Sequence, residues 1–238
     1  MEEMTIVYFL RKEASCAKQK IGKLWQYFVQ KQQFIMPGGV LHVYQVGIPD
    51  FYRNKKPWKD KMLHAYMAGL PVPDMGEDVL YVYEKQVREL LGVKTAPLSE
   101  KWLLFLLAYY EPCFVNLIIL TDACLSTKEL VRKYVRYARF VGYVTKDEAA
   151  YSEICEALSW EYGVLPQMEE NVKALRMEKG SRLIVGADNL YGASPVWLGT
   201  ETIWLSAVAD SEAKRICARA GEAIYIDIEV FLEDVLRP

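Results

Sequence analysis

The sequence predicts an α/β protein with a mainly parallel sheet and helices on both faces. Three observations carry that expectation. The stretch from Phe114 to Asp122 is an apolar, β-branched run with no alternation of period two, the pattern of a strand buried on both faces. Behind it, Ser126 and Glu129 are spaced as a capping box that opens a helix whose Leu130, Val131, Tyr134, Val135 and Ala138 share one face. From residue 98 onward, strand patterns then alternate with helical patterns of ten to fifteen residues, which argues for βαβ units with right-handed crossovers. The winding expected is Rossmann-like, or doubly wound, with 98–238 as the regular domain and residues 1–97 as a smaller N-terminal α/β part, either a subdomain of its own or part of the same sheet.

In chain order, Thr5 to Leu10 reads as a first strand. Ile21 to Gln33 reads as a helix, with Ile21, Leu24, Trp25, Phe28 and Val29 at helical spacing. Pro37, Gly38 and Gly39 break it, and Val40 to Val46 is a second strand. Pro57 suits the first turn of a helix containing Met62 and Met67. Leu70 to Gly76 is a punctuated connector, and Val79 to Leu91 begins like a strand and ends like a helix that stops at Gly92. Ser99 can cap a helix that is apolar nearly all round from Trp102 to Leu107 and is therefore buried.

Further on, Phe140 to Val144 is a strand, and Thr145 with Glu148 makes a second capping box, opening a helix that Gly163 ends. Val164 to Met168 reads as a short strand, and an acidic helical stretch follows to about Lys179. Arg182 to Asp188 is a strong strand, and Asn189 to Glu201 a long loop. Thr202 to Ser206 is a strand, and Ser211 to Ala220 a helix capped by Asp210 and closed by Gly221. Ala223 to Asp227 is the last strand and Glu229 to Leu236 the last helix.

The 238 residues are 52% hydrophobic and 25% charged, enough apolar sequence for a large core without staples. Charge is unevenly spread: residues 1–61 hold 11 Lys and Arg against 5 Asp and Glu, so the net −2 belongs to an acidic remainder. A basic head on an acidic body fits docking between the halves, self-association or an anionic partner. The positive charges are dispersed and no nucleic-acid motif accompanies them, which argues against nucleic acid. The basic, aromatic stretch from Phe51 to Trp58 reads as a solvated connector.

Five widely separated cysteines and two histidines offer no zinc spacing, so a reduced, cytoplasmic protein without a bound metal is expected. Glu2 and Glu3 stand where a signal peptide would carry positive charge. Trp102 to Leu120 is long enough to cross a bilayer, but Glu111 and Pro112 fall at its middle. A helix followed by a buried strand explains it with no membrane span.

The chemistry is sparser. Asp122, Asp188 and Asp227 each end a buried-looking strand, and parallel neighbours would bring them to the carboxyl edge of the sheet, where open α/β folds bind ligands. Each also has a local use: Asp227 can cap the last helix, Asp188 can close a turn with Asn189, and Asp122 can bond its own loop amides. The Asn189–Glu201 loop leaves from the same edge, and Tyr191 and Trp197 between glycines make it either a pocket wall or a packed surface loop.

No GxGxxG, GxxxxGK[ST] or GxSxG pattern occurs, so no cofactor is assigned. Cys124 follows the central strand, but both histidines, His42 and His64, lie in the other half of the chain, and a buried free thiol is the commoner outcome. The expectation is a protein that binds a small polar ligand through Asp122, Asp188, Asn189, Tyr191, Trp197 and Asp227; the residues leave open whether it is also an enzyme, and they name no reaction. The alternative is a non-catalytic interaction or regulatory protein that uses the α/β body as a scaffold.

Overall fold

The computed structural model describes residues 2–12, 29–49, 66–93, 96–120, 128–186, 192–198, 201–208, 211–221 and 223–237. The chain divides into two compact units, Met1–Thr95 and Ala96–Pro238.

The first unit holds a four-stranded mixed sheet in the order β2-β3-β1-β4. β1 (Glu2–Lys12) lies between β3 (Gly39–Pro49) and β4 (Val79–Tyr83), parallel to both, while β2 (Val29–Met36) pairs antiparallel with β3. Here the expected helix over 21–33 is corrected: Val29 to Gln33 are strand, and residues 21–28 lie outside the described residues. The helical spacing ran into an edge strand. Its Gln32, Phe34 and Met36 are half-buried while Gln30, Lys31, Gln33 and Ile35 face out, and Gln45 donates to Gln32 across the pair. Gly39 closes the hairpin at φ +144, where a Cβ would meet the Glu2 carbonyl oxygen at 2.2 Å. The start of the helix expected from Pro57 also lies outside the described residues. Val79 to Leu91 resolves into β4 and α1 (Lys85–Leu91), and Gly92 ends α1 in the left-handed region at φ 64.

The second unit carries a six-stranded sheet, all parallel, in the order β10-β9-β8-β5-β6-β7. β5 (Asn116–Leu120) is buried at every residue, as its unbroken apolar run demands. The apolar stretch from Trp102 to Leu120 divides as its sequence suggests. α2 (Glu100–Tyr110) ends at Glu111, which adopts φ 43, and β5 follows. Ser99 holds the N-cap position of α2, but its side chain makes no capping bond. Among the described residues no helix is long and apolar enough to cross a membrane.

After β5 come α3 (Lys128–Tyr134), β6 (Phe140–Val144), α4 (Glu148–Tyr162) and β7 (Gln167–Glu169). Asp147 rather than Thr145 caps α4: its carboxylate accepts from Ala149 N–H, and Thr145 Oγ1 accepts in turn from Asp147 N–H. The helix expected over the acidic stretch to Lys179 is absent. That connection holds a single 3-10 turn, Val172–Ala174, and extended chain: Val172 and Leu175 are buried and Met177 packs half-buried on the same core, a spacing that keeps no helical face. β8 (Arg182–Gly186), α5 (Pro195–Leu198), β9 (Thr202–Leu205), α6 (Ser211–Ala220), β10 (Ile224–Ile226) and α7 (Ile228–Leu236) complete the chain.

Helices cover both faces. On one, Ile118, Leu120, Ile184 and Trp204 pack with Leu198 of α5 and Ala213, Ile216 and Cys217 of α6. Leu117, Ile119, Leu183 and Val185 alternate to the other face and are equally buried. That second layer is knitted together by Phe105 of α2 against Phe231 of α7, by Leu130 N–H donating to Glu100 Oε1, and by Arg132 of α3 on Glu161 of α4.

Candidate functional site

Counted from β5, the strands stand in the spatial order 3-2-1-4-5-6. β6 and β7 extend the sheet on one side of β5; β8 lies on its other side, with β9 and β10 beyond it. The connections after β5 and after β8 therefore leave in opposite directions. Leu120 and Gly186 pair at the carboxyl end of these two strands, where the directions part. Asp122 and Asp188 each follow by two residues in sequence, and with Asn189 and Tyr191 they lie outside the described residues.

The flanks of this point are polar and satisfied. Thr145 after β6, Ser206 after β9 and Asp227 after β10 are all buried at the carboxyl edge. Ser206 Oγ donates to Val208 O at 2.6 Å, and Asp227 Oδ1 accepts from Val230 N–H at 2.9 Å as the N-cap of α7. Asp227 thus has the capping use its sequence position offered.

Gly192 is the first described residue after β8. A Cβ there would lie 2.5 Å from Nδ2 of Asn171, and its φ is +79, so a side chain has neither room nor backbone freedom. Asn171 opens the connection from β7 and accepts from Lys173 N–H. Gly186 and Gly192 thus bracket a stretch that begins at β8 and ends against the connection on the far side of β5.

Trp197 stands at the opposite edge. Arg182, the first residue of β8, donates from Nη1 to the carbonyls of Trp197 and Leu198 and lies over the Trp197 ring, 5.6 Å from its centroid. The reason is topological. The loop expected over 189–201 contains α5, whose last turn delivers the chain to the amino end of β9, so its carbonyls meet residues that begin strands. Trp197 is not brought together with the carboxyl ends of β5 and β8.

This amino edge holds the polar residues that sequence reasoning missed. Asn116, Arg182 and Thr202 are in register across β5, β8 and β9 and project to one face. Asn116 is fully buried and donates to the carbonyls of Glu178 and Ser181, and Thr202 Oγ1 donates to Leu198 O at 2.6 Å. Burial lowers the Arg182 pKa. Asn116 Oδ1, Arg182 Nε and Trp197 Nε1 are buried without a partner. The row clamps two connections onto the starts of three strands. Its sequence signal was a polar residue at the head of each apolar run.

Among the described residues, no three His, Cys, Asp or Glu side chains gather in a group able to hold a metal ion. Cys113 and Cys217 are free thiols, the first exposed and the second buried. No family model matches the chain, and no curated protein and no solved structure matches it.

Proposed function

We propose that this chain binds a small polar ligand at the carboxyl edge of the six-stranded sheet, between β5 and β8, as a cytoplasmic protein. The observation that carries the reading is the reversal of strand order at that pair. In open α/β sheets, connections diverging from neighbouring strands leave a crevice outside their carboxyl ends, and ligands bind there. Asp122 and Asp188 follow the paired ends Leu120 and Gly186, so two carboxylates are available to polar or cationic groups of a ligand. Asn189 and Tyr191 follow on the same stretch. Gly192, the first described residue beyond them, packs against Asn171 of the connection from β7. The polar residues after β6, β9 and β10 are engaged in turns and caps, which favours the β5–β8 gap over the rest of the edge.

A thermal-shift screen of the full chain against divalent cations, nucleotides and common metabolites tests this. A specific ligand stabilises in proportion to the logarithm of its concentration, by about 2.7 kcal/mol at a hundred times its Kd. Asp122→Asn and Asp188→Asn should each abolish that stabilisation while leaving the unliganded transition in place. Stabilisation that survives both substitutions, or none from any class, refutes the reading.

A further inference from the structure

We propose that the end of α3 is a docking surface for single-stranded nucleic acid, separate from the ligand crevice. The dispersed charges of residues 1–61 argue against such a partner, but those from Arg132 to Arg139 are not dispersed. This run holds Arg132, Lys133, Arg136 and Arg139, with Tyr134 and Tyr137 between them and no Asp or Glu. Contacts gather the side chains into one patch. Lys133 Nζ lies over the Tyr134 ring, 5.8 Å from its centroid, and Arg136 over the Tyr137 ring at 5.6 Å. The two tyrosine rings are 6.4 Å apart, and Phe114 stands 6.3 Å from Tyr134. Arg136 Nε also donates to Lys133 O at 3.3 Å, which draws that cation back over the last turn of α3. Phe114 and Tyr134 are half-buried and anchor the row, whereas Tyr137 is 62% exposed and Lys133, Arg136 and Arg139 are exposed beside it.

The patch keeps its charge. Arg132 is engaged within the chain, by Glu129 at 2.9 Å and Glu161 at 3.3 Å, and the bridge neutralises Glu161 at the end of α4. Among the described residues, Lys133, Arg136 and Arg139 make no ion pair. Glu111, just past α2, is the acidic neighbour: burial, then Tyr137, then Glu111 raise the Tyr134 pKa. Three exposed cations against that carboxylate leave the surface positive.

A polyanion answers the charge, and the rings narrow its class. Proteins hold single strands with cations along the phosphates and aromatic rings under the bases. Here cation and ring are already presented together: Arg136 covers one face of Tyr137, and the exposed ring can take a base by stacking. An acidic peptide would use the cations and leave Tyr137 without a role. α3 connects the parallel strands β5 and β6, so it runs from the carboxyl edge to the amino edge. Arg139 N–H donates to Val115 O just ahead of β5. The patch therefore lies at the edge opposite the β5–β8 crevice, and the two sites are tested independently.

Fluorescence anisotropy of a labelled oligothymidylate of about 20 nucleotides, titrated with the full chain, tests this. Contacts to about three phosphates give a slope of log Kobs on log salt of about −2, so affinity should fall about 20-fold between about 50 and 200 mM salt. Tyr137→Ala should weaken binding at least about 5-fold at an unchanged slope, and Arg136→Gln should flatten the slope by about 0.7. Both residues are exposed, so the far-ultraviolet circular dichroism spectrum should not change. Inorganic polyphosphate, which has no bases, should compete equally well for the wild type and Tyr137→Ala. No binding up to about 100 µM protein, the upper end of non-specific dissociation constants, overturns the proposal. So does an affinity indifferent to Tyr137→Ala, a slope indifferent to Arg136→Gln, or a loss of polyphosphate binding in Tyr137→Ala, which would make that ring a structural support instead of a stacking platform.

Discussion

Replacing Arg182 by methionine removes a charged donor while keeping most of the aliphatic stem. The guanidinium donates to the carbonyls of Trp197 and Leu198 and covers the Trp197 ring. A hydrogen bond from a charged group is worth about 1.5–3 kcal/mol net, and partial exposure places these two near the lower end. Leu198 O keeps the Thr202 hydroxyl at 2.6 Å, so it is not left without a donor. Trp197 O loses its donor, and water at this half-exposed site replaces part of the loss. Relief of the burial that lowers the Arg182 pKa offsets a further part. The expected destabilisation is about 2 kcal/mol, from the loss of one well-made charged bond and the cation–π contact. Urea unfolding followed by far-ultraviolet circular dichroism measures it. Arg182→Lys should recover about half, since one ammonium can reach one carbonyl without the planar fork. A loss below about 0.5 kcal/mol for Arg182→Met, within the range of ordinary surface substitutions, would refute the clamp.

Three further outcomes follow from single contacts. Asp227→Ala should cost about 1 kcal/mol in urea unfolding and Asp227→Asn only a few tenths, because Asn also accepts at an N-cap. Burial, and then the hydrogen bond to Asp234 at 2.9 Å, raise the Tyr110 pKa far above its ordinary 10.0. The folded state therefore holds that proton more tightly than the unfolded chain. The stability it contributes is complete below pH 10.0 and falls as pH rises beyond it, and Tyr110→Phe should flatten the alkaline decline in a series of urea titrations. Burial pushes the Cys217 thiol up to about 11, whereas Cys113 is exposed. Alkylation read by peptide mass spectrometry should label Cys113 first and Cys217 only on unfolding; equal rates would contradict that burial.

The second unit was legible because its strands are extreme. A run such as Leu117 to Leu120, buried on both faces, leaves no choice of period, and the helix from Ser211 to Ala220 buries one apolar face, Ala213, Ile216 and Cys217, and stops before Gly221. The misreadings share a cause: too few inward residues to fix a period. β2 buries one side only, and its Gln30, Lys31 and Gln33 are as acceptable on a helix. The connection from β7 buries Val172 and Leu175 and half-buries Met177, a spacing of three and then two that sustains no helical face. α5 is four residues long inside a stretch rich in glycine, so it read as loop, and Trp197 was assigned to the edge the loop leaves instead of the edge it reaches. Strand order, which locates the candidate site, depends on pairing between distant segments and leaves no local pattern. Asn116, Arg182 and Thr202 became a row only once β5, β8 and β9 were neighbours in register.

The central claim is that the chain leaving β5 and the chain leaving β8 border one ligand site. The separation of the Asp122 and Asp188 carboxylates in a crystal structure tests it most directly. Strands lie about 4.8 Å apart, so residues that each follow a paired end by two positions should hold their carboxylates within about 12 Å. A separation inside that limit, with both groups turned to the crevice, is the result expected. A separation beyond it would place the two carboxylates too far apart for one small ligand and return both to turn and loop duty.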